Sequence, residues 1–217
     1  MTTVLFIHGL ESGPRGKKAL ELEAAGFTVV AGQMPCSQRA IFKDPAVIGF
    51  IAIALGVLIA AASQGVMGFM ICGVLYAVLL RFVQPAITRR MFRRSVAVQL
   101  ALLAANKIDV VAGSSFGGAV GVELLSSGAW TGPTILMCPA HRLVAGRAWK
   151  PLPVLPADAS RIVVVHGRQD ETVPIEHSRS LVKGTAAKLI EVDDGHRLTN
   201  VAIAANFHEW VARVTAP

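Results

Sequence analysis

The sequence predicts an α/β domain of about six mostly parallel strands with helices on both faces, carrying an inserted apolar helical hairpin. Three observations predict it. Short apolar runs alternate with helix-compatible stretches over residues 1–44 and 84–217, the pattern of strands joined by crossover helices. Those runs are apolar throughout, as strands covered on both faces must be. Between the two parts, Pro45–Leu80 runs for 36 residues without a charge.

Strands are expected near 3–8, 27–32, 108–112, 133–138, 161–166 and 187–192, and helices over 15–25, 88–105, 117–127, 175–184 and 198–213. A length of 217 residues fits one domain. The chain is 53% hydrophobic and only 16% charged, against about 25% charged in an ordinary soluble domain. The excess is concentrated in the insert. Cys36, Cys72 and Cys138 have neither metal-site nor CxxC spacing, so no metal, cofactor or disulfide framework is expected and a reducing compartment is. The first residues enter a strand without a basic n-region, and no signal peptide is expected.

The chemistry-bearing residues lie at strand ends. Gly113-Ser114-Ser115-Phe116-Gly117 follows the apolar run 108–112 and precedes a helical stretch. Strand, sharp turn and helix are what a G-x-S-x-G nucleophile turn needs to expose Ser115 at the top of a sheet. Asp170 stands in the loop after the strand near 161–166, just before Pro174, where an acid can orient a histidine. Glu171 is the competing acid and reads as a solvated loop charge. His196 follows Gly195 after the last strand, placed to offer its imidazole to the serine. His8 and His166 precede glycines and are expected to shape turns; His141, His177 and His208 are expected at the surface.

The order Ser115, Asp170, His196, with Ile7-His8-Gly9 early and His166-Gly167 before the acid, resembles the α/β-hydrolase superfamily. It is similar to small bacterial esterases with IHG, GSSxGG and HGxxDxxVP motifs. The resemblance covers residues 1–35 and about 95–215 and implies a reduced α/β-hydrolase sheet, without the first antiparallel pair of larger members. It also implies an oxyanion hole made by the backbone N–H groups of Leu10 and Phe116, and a serine hydrolase acting on a small-molecule ester, thioester or other acyl substrate.

The resemblance does not cover the insert, residues 45–83. As one helix its charge-free run would extend about 54 Å, too long for one crossing of a hydrocarbon layer of about 30 Å. Ala62-Ser63-Gln64-Gly65 is the best turn signal, dividing it into halves of 46–62 and 66–83. Small residues (Gly49, Ala52, Gly56 and Ala60 in one half; Gly68, Gly73 and Ala77 in the other) suit close helix packing in lipid. Arg39 and Lys43 precede the insert, Arg81, Arg89, Arg90, Arg93 and Arg94 follow it, and no acid occurs between Pro45 and Ile108. Both ends are therefore expected on the cytoplasmic side of a bilayer. The alternatives are a soluble cytoplasmic protein with an apolar lid or oligomer-forming arm, and a membrane-anchored interaction module with a vestigial hydrolase fold. Nucleic acid is not expected as a partner, because the arginines adjoin an apolar span and no aromatic platform accompanies them.

Overall fold

The computed structural model describes residues 1–10, 12–36, 43, 45–62 and 65–216. Arg39 and the expected turn residues Ser63 and Gln64 lie outside the described residues. Strands β1 (Thr3–Ile7), β2 (Thr28–Val30), β3 (Val110–Ser114), β4 (Thr134–Met137), β5 (Ile162–Gly167) and β6 (Lys188–Val192) form one sheet in the order β2-β1-β3-β4-β5-β6. Every neighbouring pair is parallel, with Val4 opposite Val110 and Ser114 opposite Met137. The helices are α1 (Lys17–Ala24), α2 (Pro45–Ala62), α3 (Gly65–Ala105), α4 (Phe116–Ser126), α5 (His141–Ala148), α6 (Ile175–Val182) and α7 (Ala204–Thr215).

Successive strand residues point to opposite faces, so one β1 sequence serves two cores. Val4 and Phe6 pack with Leu22 of α1 and with Phe207, Trp210, Val211 and Val214 of α7. The α7 residues recur at helical spacing and make one apolar stripe. Leu5 and Ile7 pack with Phe92 of α3 and with Phe116, Val120 and Leu124 of α4. Removing a fully buried ring such as that of Phe207 is expected to cost about 3–5 kcal/mol.

Three elements differ from the sequence expectation. Helix α5 was not expected at all. The stretch 198–203 is a turn, because the buried carboxylate of Asp194 accepts hydrogen bonds from the Asn200 and Val201 amides, and α7 starts only at Ala204. The second half of the insert and the expected helix 88–105 are one helix of 41 residues, α3, with Pro85 inside it. Proline removes only one ladder bond, and the helix continues through it.

The course of α3 follows from the topology. A crossover between parallel strands must run back from the carboxyl edge of the sheet to its amino edge. The end of α3 is at the amino edge, where Asp109 N donates to Thr3 O at 2.9 Å and Asp109 Oδ2 accepts from Thr3 N at 2.8 Å. A helix of this length extends about 60 Å, whereas a five-residue strand spans about 17 Å. Its first half therefore projects beyond the carboxyl edge. Gly65–Gln84, before the proline, is about 30 Å long.

Helices α2 and α3 pack together as a hairpin. Phe50 stacks on Tyr76 with ring centroids 6.3 Å apart, at matching depths on either side of the connection, which makes the pair antiparallel. The seam on α2 is Val47, Ala54 and Ala61, spaced by seven and buried. Of the small residues the sequence singled out, Gly49, Gly56 and Gly73 lie off close contacts: a Cβ added at any of them would meet nothing within 4 Å. Large apolar side chains face outward along both helices, including Ile53, Ile59, Val66, Met67 and Met70 at 62–82% exposure. By length and composition α3 can cross a membrane; the apolar part of α2, Val47–Ala61, is shorter.

Candidate active site

Ser115 joins β3 directly to α4, with φ 54° and ψ −114°. A non-glycine residue at positive φ is strained by about 1–3 kcal/mol and needs its surroundings to hold it there. They do. Ser115 N donates to Met137 O at 2.9 Å, continuing the β3–β4 ladder, and Ser115 O accepts from Ala119 N and Ala140 N, both at 3.0 Å. The turn also requires α4 to touch β1. A Cβ at Gly117 would run into the carbonyl oxygen of Ile7, so only glycine lets the helix start there. The result aims the positive end of the α4 dipole, with the first N–H of Phe116 among its unpaired donors, at the region around Ser115.

Ser115, Asp170 and His196, far apart in sequence, converge at the carboxyl edge. Ser115 Oγ lies 2.9 Å from His196 Nε2, and His196 Nδ1 lies 2.7 Å from Asp170 Oδ2. Two devices bring the β5 and β6 loops together. Arg168 N donates to Val192 O and Gln169 N to Asp194 O, prolonging the β5–β6 pairing past the strands. A Cβ at Gly167 would strike the carbonyl oxygen of Asp194, so the approach depends on that glycine. Asp194 then folds the histidine loop by accepting from Gly195 N at 2.7 Å, while Lys18 Nζ donates to Arg197 O at 2.6 Å.

The Asp170 side chain is inaccessible to solvent and is surrounded by donors. Its Oδ1 accepts from Thr172 N and Val173 N, both at 2.8 Å. Burial opposes the charged form, but hydrogen bonds from His166, His196 and the Val173 amide outweigh it and hold the carboxyl well below the usual carboxylate range. Glu171, one residue on, is exposed.

His166 is a residue whose part the sequence did not reveal. It is fully buried, with Nε2 2.9 Å from Val173 O and 3.2 Å from Asp170 Oδ2. Both of these atoms accept, so Nε2 carries the proton, and Nδ1 accepts from Ser178 Oγ at 2.7 Å. The ring thus clamps the acid loop between β5 and α6. Its contact with Asp170 could not be read from spacing, since Val173 and Ser178 reach it only after the loop closes. His8 shapes its turn as expected: Nδ1 donates to Gly9 O at 2.8 Å and Nε2 accepts from Met34 N at 3.3 Å. This clamp sets the loop leading to Leu10 against the serine. A Cβ on Gly9 would lie 3.4 Å from Ser115 Cβ.

His141 is not a surface residue. It is 3% exposed, because the unforeseen helix α5 lays it against Pro139, whose carbonyl accepts from its Nδ1 at 3.1 Å. Burial pushes its pKa down to about 4. His177 is half-buried and His208 exposed.

Cys138, His166 and Asp170 place one potential ligand atom each within 4.8 Å of one another. The donor chemistry disfavours a metal there. The Cys138 thiol is pushed up to about 12 by burial and by the neighbouring Asp170 charge, the His166 Nε2 proton is engaged, and Asp170 Oδ2 already receives His196.

No protein-family model and no curated protein matches the chain. Solved structures do. A protein of Xanthomonas campestris pv. campestris assigned to the α/β hydrolase superfamily is 22% identical, with a TM-score of 0.58 over 97% of this chain and 96% of that one. The mouse alpha/beta hydrolase domain-containing protein 10 is 12% identical, with a TM-score of 0.56 over 97% of this chain and 86% of that one. A hydrolase structure from Agrobacterium vitis S4 is 16% identical, with a TM-score of 0.54 over 97% and 88%. With its six parallel strands and flanking helices, the chain has the α/β-hydrolase fold.

Proposed function

We propose that the protein is a serine hydrolase that cleaves a carboxylic ester or thioester at a membrane surface. The observation that carries this is the hydrogen-bonded series Ser115–His196–Asp170 on a strained turn at the carboxyl edge. His196 Nε2 takes the Ser115 proton as Oγ attacks the acyl carbonyl. Asp170 fixes the tautomer with Nδ1 protonated and stabilises the imidazolium. The N–H groups of Leu10 and Phe116 receive the oxyanion. Collapse of the tetrahedral intermediate expels the alcohol or thiol, which takes the proton from His196. Water, deprotonated by the same histidine, then releases the acid and restores Ser115.

The test is labelling with a fluorophosphonate and hydrolysis of p-nitrophenyl esters. Stoichiometric labelling of Ser115 with turnover supports the reading. Absence of both in folded protein leaves a vestigial hydrolase body serving as an interaction module.

The membrane part rests on the hairpin. Outside the buried seam, large apolar side chains are exposed along both helices, a contiguous patch of the kind a soluble monomer rarely shows. Gly65–Gln84 matches a hydrocarbon layer of about 30 Å. Arginines follow the hairpin without an intervening acid, which argues for a body on the cytoplasmic side. Replacing 46–83 by a Gly/Ser linker is expected to move the protein from the membrane to the soluble fraction with ester hydrolysis retained. Solubility of the full chain without detergent would defeat this part and leave the hairpin as a cap or oligomer-forming arm.

A further inference from the structure

We propose that the flank made by α3 and α5, with Trp149 at its corner, docks onto an anionic lipid headgroup layer, so that the body lies against the bilayer instead of hanging from the hairpin. The inference rests on the membrane reading of the hairpin and adds a second contact to it.

The two elements come from distant parts of the chain and pack side by side. Arg89 fastens them, donating to Ala148 O at 3.0 Å. Both lie in acid-free stretches: no Asp or Glu occurs between Pro45 and Ile108, nor between Leu124 and Ala157. Their union is a predominantly basic surface, with Arg81, Arg90 and Arg93 of α3 and Arg142 and Arg147 of α5 all exposed, and the acid that reaches it from α4, Glu123, is paired with Lys150 at 2.6 Å. Such concentration of like charge raises the self-repulsion of the fold. An anionic surface offsets it, by about 1 kcal/mol per basic residue held near the lipid.

Trp149 marks where the charged flank meets the apolar hairpin. It ends α5 in the left-handed region at φ 48° and is 43% exposed. The Arg81 guanidinium lies 4.5 Å from its ring centroid, and Phe82, itself 59% exposed, meets it edge-on at 5.7 Å. An exposed indole between an arginine and a phenylalanine, at the root of an apolar helix, suits the headgroup boundary, where amphipathic rings collect. A nucleic acid would answer the charge but not this apolar corner. The level of the site follows. Phe92 touches Phe116, next to Ser115, at 5.9 Å, and Arg81 stands about 16 Å further along the helix. Docking at Arg81 therefore holds Ser115 about 16 Å beyond it, two to three headgroup layers of about 5–7 Å each, within reach of an amphiphile that rises well out of its leaflet.

The test uses the full chain reconstituted into vesicles of phosphatidylcholine alone or mixed with phosphatidylglycerol, each doped with a headgroup spin-labelled lipid that quenches tryptophan. Trp210 is buried and Trp130 is half-buried with its Nε1 on Thr134 Oγ1, so the quenchable signal belongs to Trp149. Docking predicts quenching in the anionic vesicles that is lost in Trp149→Phe, reversed by salt, and weak in neutral vesicles. Arg142→Gln with Arg147→Gln is expected to lower the docked-to-undocked ratio roughly 30-fold at low salt. Co-flotation with both vesicle types but equal or absent quenching overturns the docking and spares the hairpin. Failure to co-float with either overturns both. Salt-reversible retention on DNA without lipid quenching assigns the flank to nucleic-acid phosphates and also overturns it.

Discussion

Replacing Asp170 by Asn tests the proposed site most directly, because the structure fixes what the amide would meet. Four donors converge on the carboxylate: His196 Nδ1 and His166 Nε2 on Oδ2, and the Thr172 and Val173 amides on Oδ1. Asparagine has one acceptor oxygen. Whichever way the amide turns, its NH₂ faces two donors. If it faces the loop amides, the exposed Thr172 N–H and the buried Val173 N–H lose their acceptor, at about 1–3 kcal/mol for the buried one. If it faces the histidines, His196 is driven to the tautomer protonated on Nε2, which cannot take the Ser115 proton. Either outcome withdraws the charge that stabilises the imidazolium. The expected fall in kcat is about 10⁴, the scale of this change in another serine triad, with KM little changed. Stability is expected to fall by about 1–3 kcal/mol. The assay is p-nitrophenyl ester hydrolysis beside thermal unfolding, so that a loss of fold is not mistaken for a loss of chemistry. Glu171→Gln, at an exposed position, is expected to leave both near wild type. An Asp170→Asn protein that keeps a tenth of kcat, or a Glu171→Gln protein that loses as much, would refute the assignment.

Other expectations follow from the same geometry. Ser115→Ala should abolish turnover and fluorophosphonate labelling, while Ser114→Ala, in the strand and opposite Met137, should keep most of both; equal loss would move the nucleophile. Gly117→Ala should yield no soluble folded body in expression trials, since its Cβ meets the Ile7 carbonyl; a well-folded variant would contradict the packing of α4 on β1. His141, with its pKa lowered to about 4 by burial, stays neutral in the fold while the unfolded chain takes up a proton below about pH 6.5. Stability should therefore decline as pH falls through that window, by about 2 kcal/mol between pH 7 and 5. His141→Phe should flatten this slope in denaturant titrations at the two pH values. Asp170 acts lower: its depressed pKa supplies stability above the ordinary carboxylate range that is lost on further acidification.

What could be read from the sequence was mostly what sits at strand ends. Ser115 and His196 were legible because glycine-flanked turns after apolar runs leave few ways to arrange a chain. Asp170 was legible from its place before Pro174. The continuity of α3 was not, because a proline inside an apolar pattern normally signals a boundary, whereas the folded chain runs as one helix through Pro85. Helix α5 was hidden by its length: eight residues carry too little periodicity to register, and the burial of His141 was lost with it. The seam of the hairpin was not legible for another reason. Small residues mark where two helices can approach, but Val47, Ala54 and Ala61 mark where these two do.

The antiparallel pairing of the hairpin bears on how the sheet can close at all. β1 must find β3 across the intervening residues 8–109, and the entropy lost in closing such a loop grows with the logarithm of its length. The hairpin returns the chain close to where it left. Once paired, its residues no longer count toward the loop, and the effective span shrinks to that of residues 8–45 and 84–109. The difference in closure entropy is only about 0.4 kcal/mol. An excursion some 30 Å long therefore adds almost nothing to the thermodynamic burden of the body that carries it, and the two parts can change in length and composition without renegotiating each other's stability.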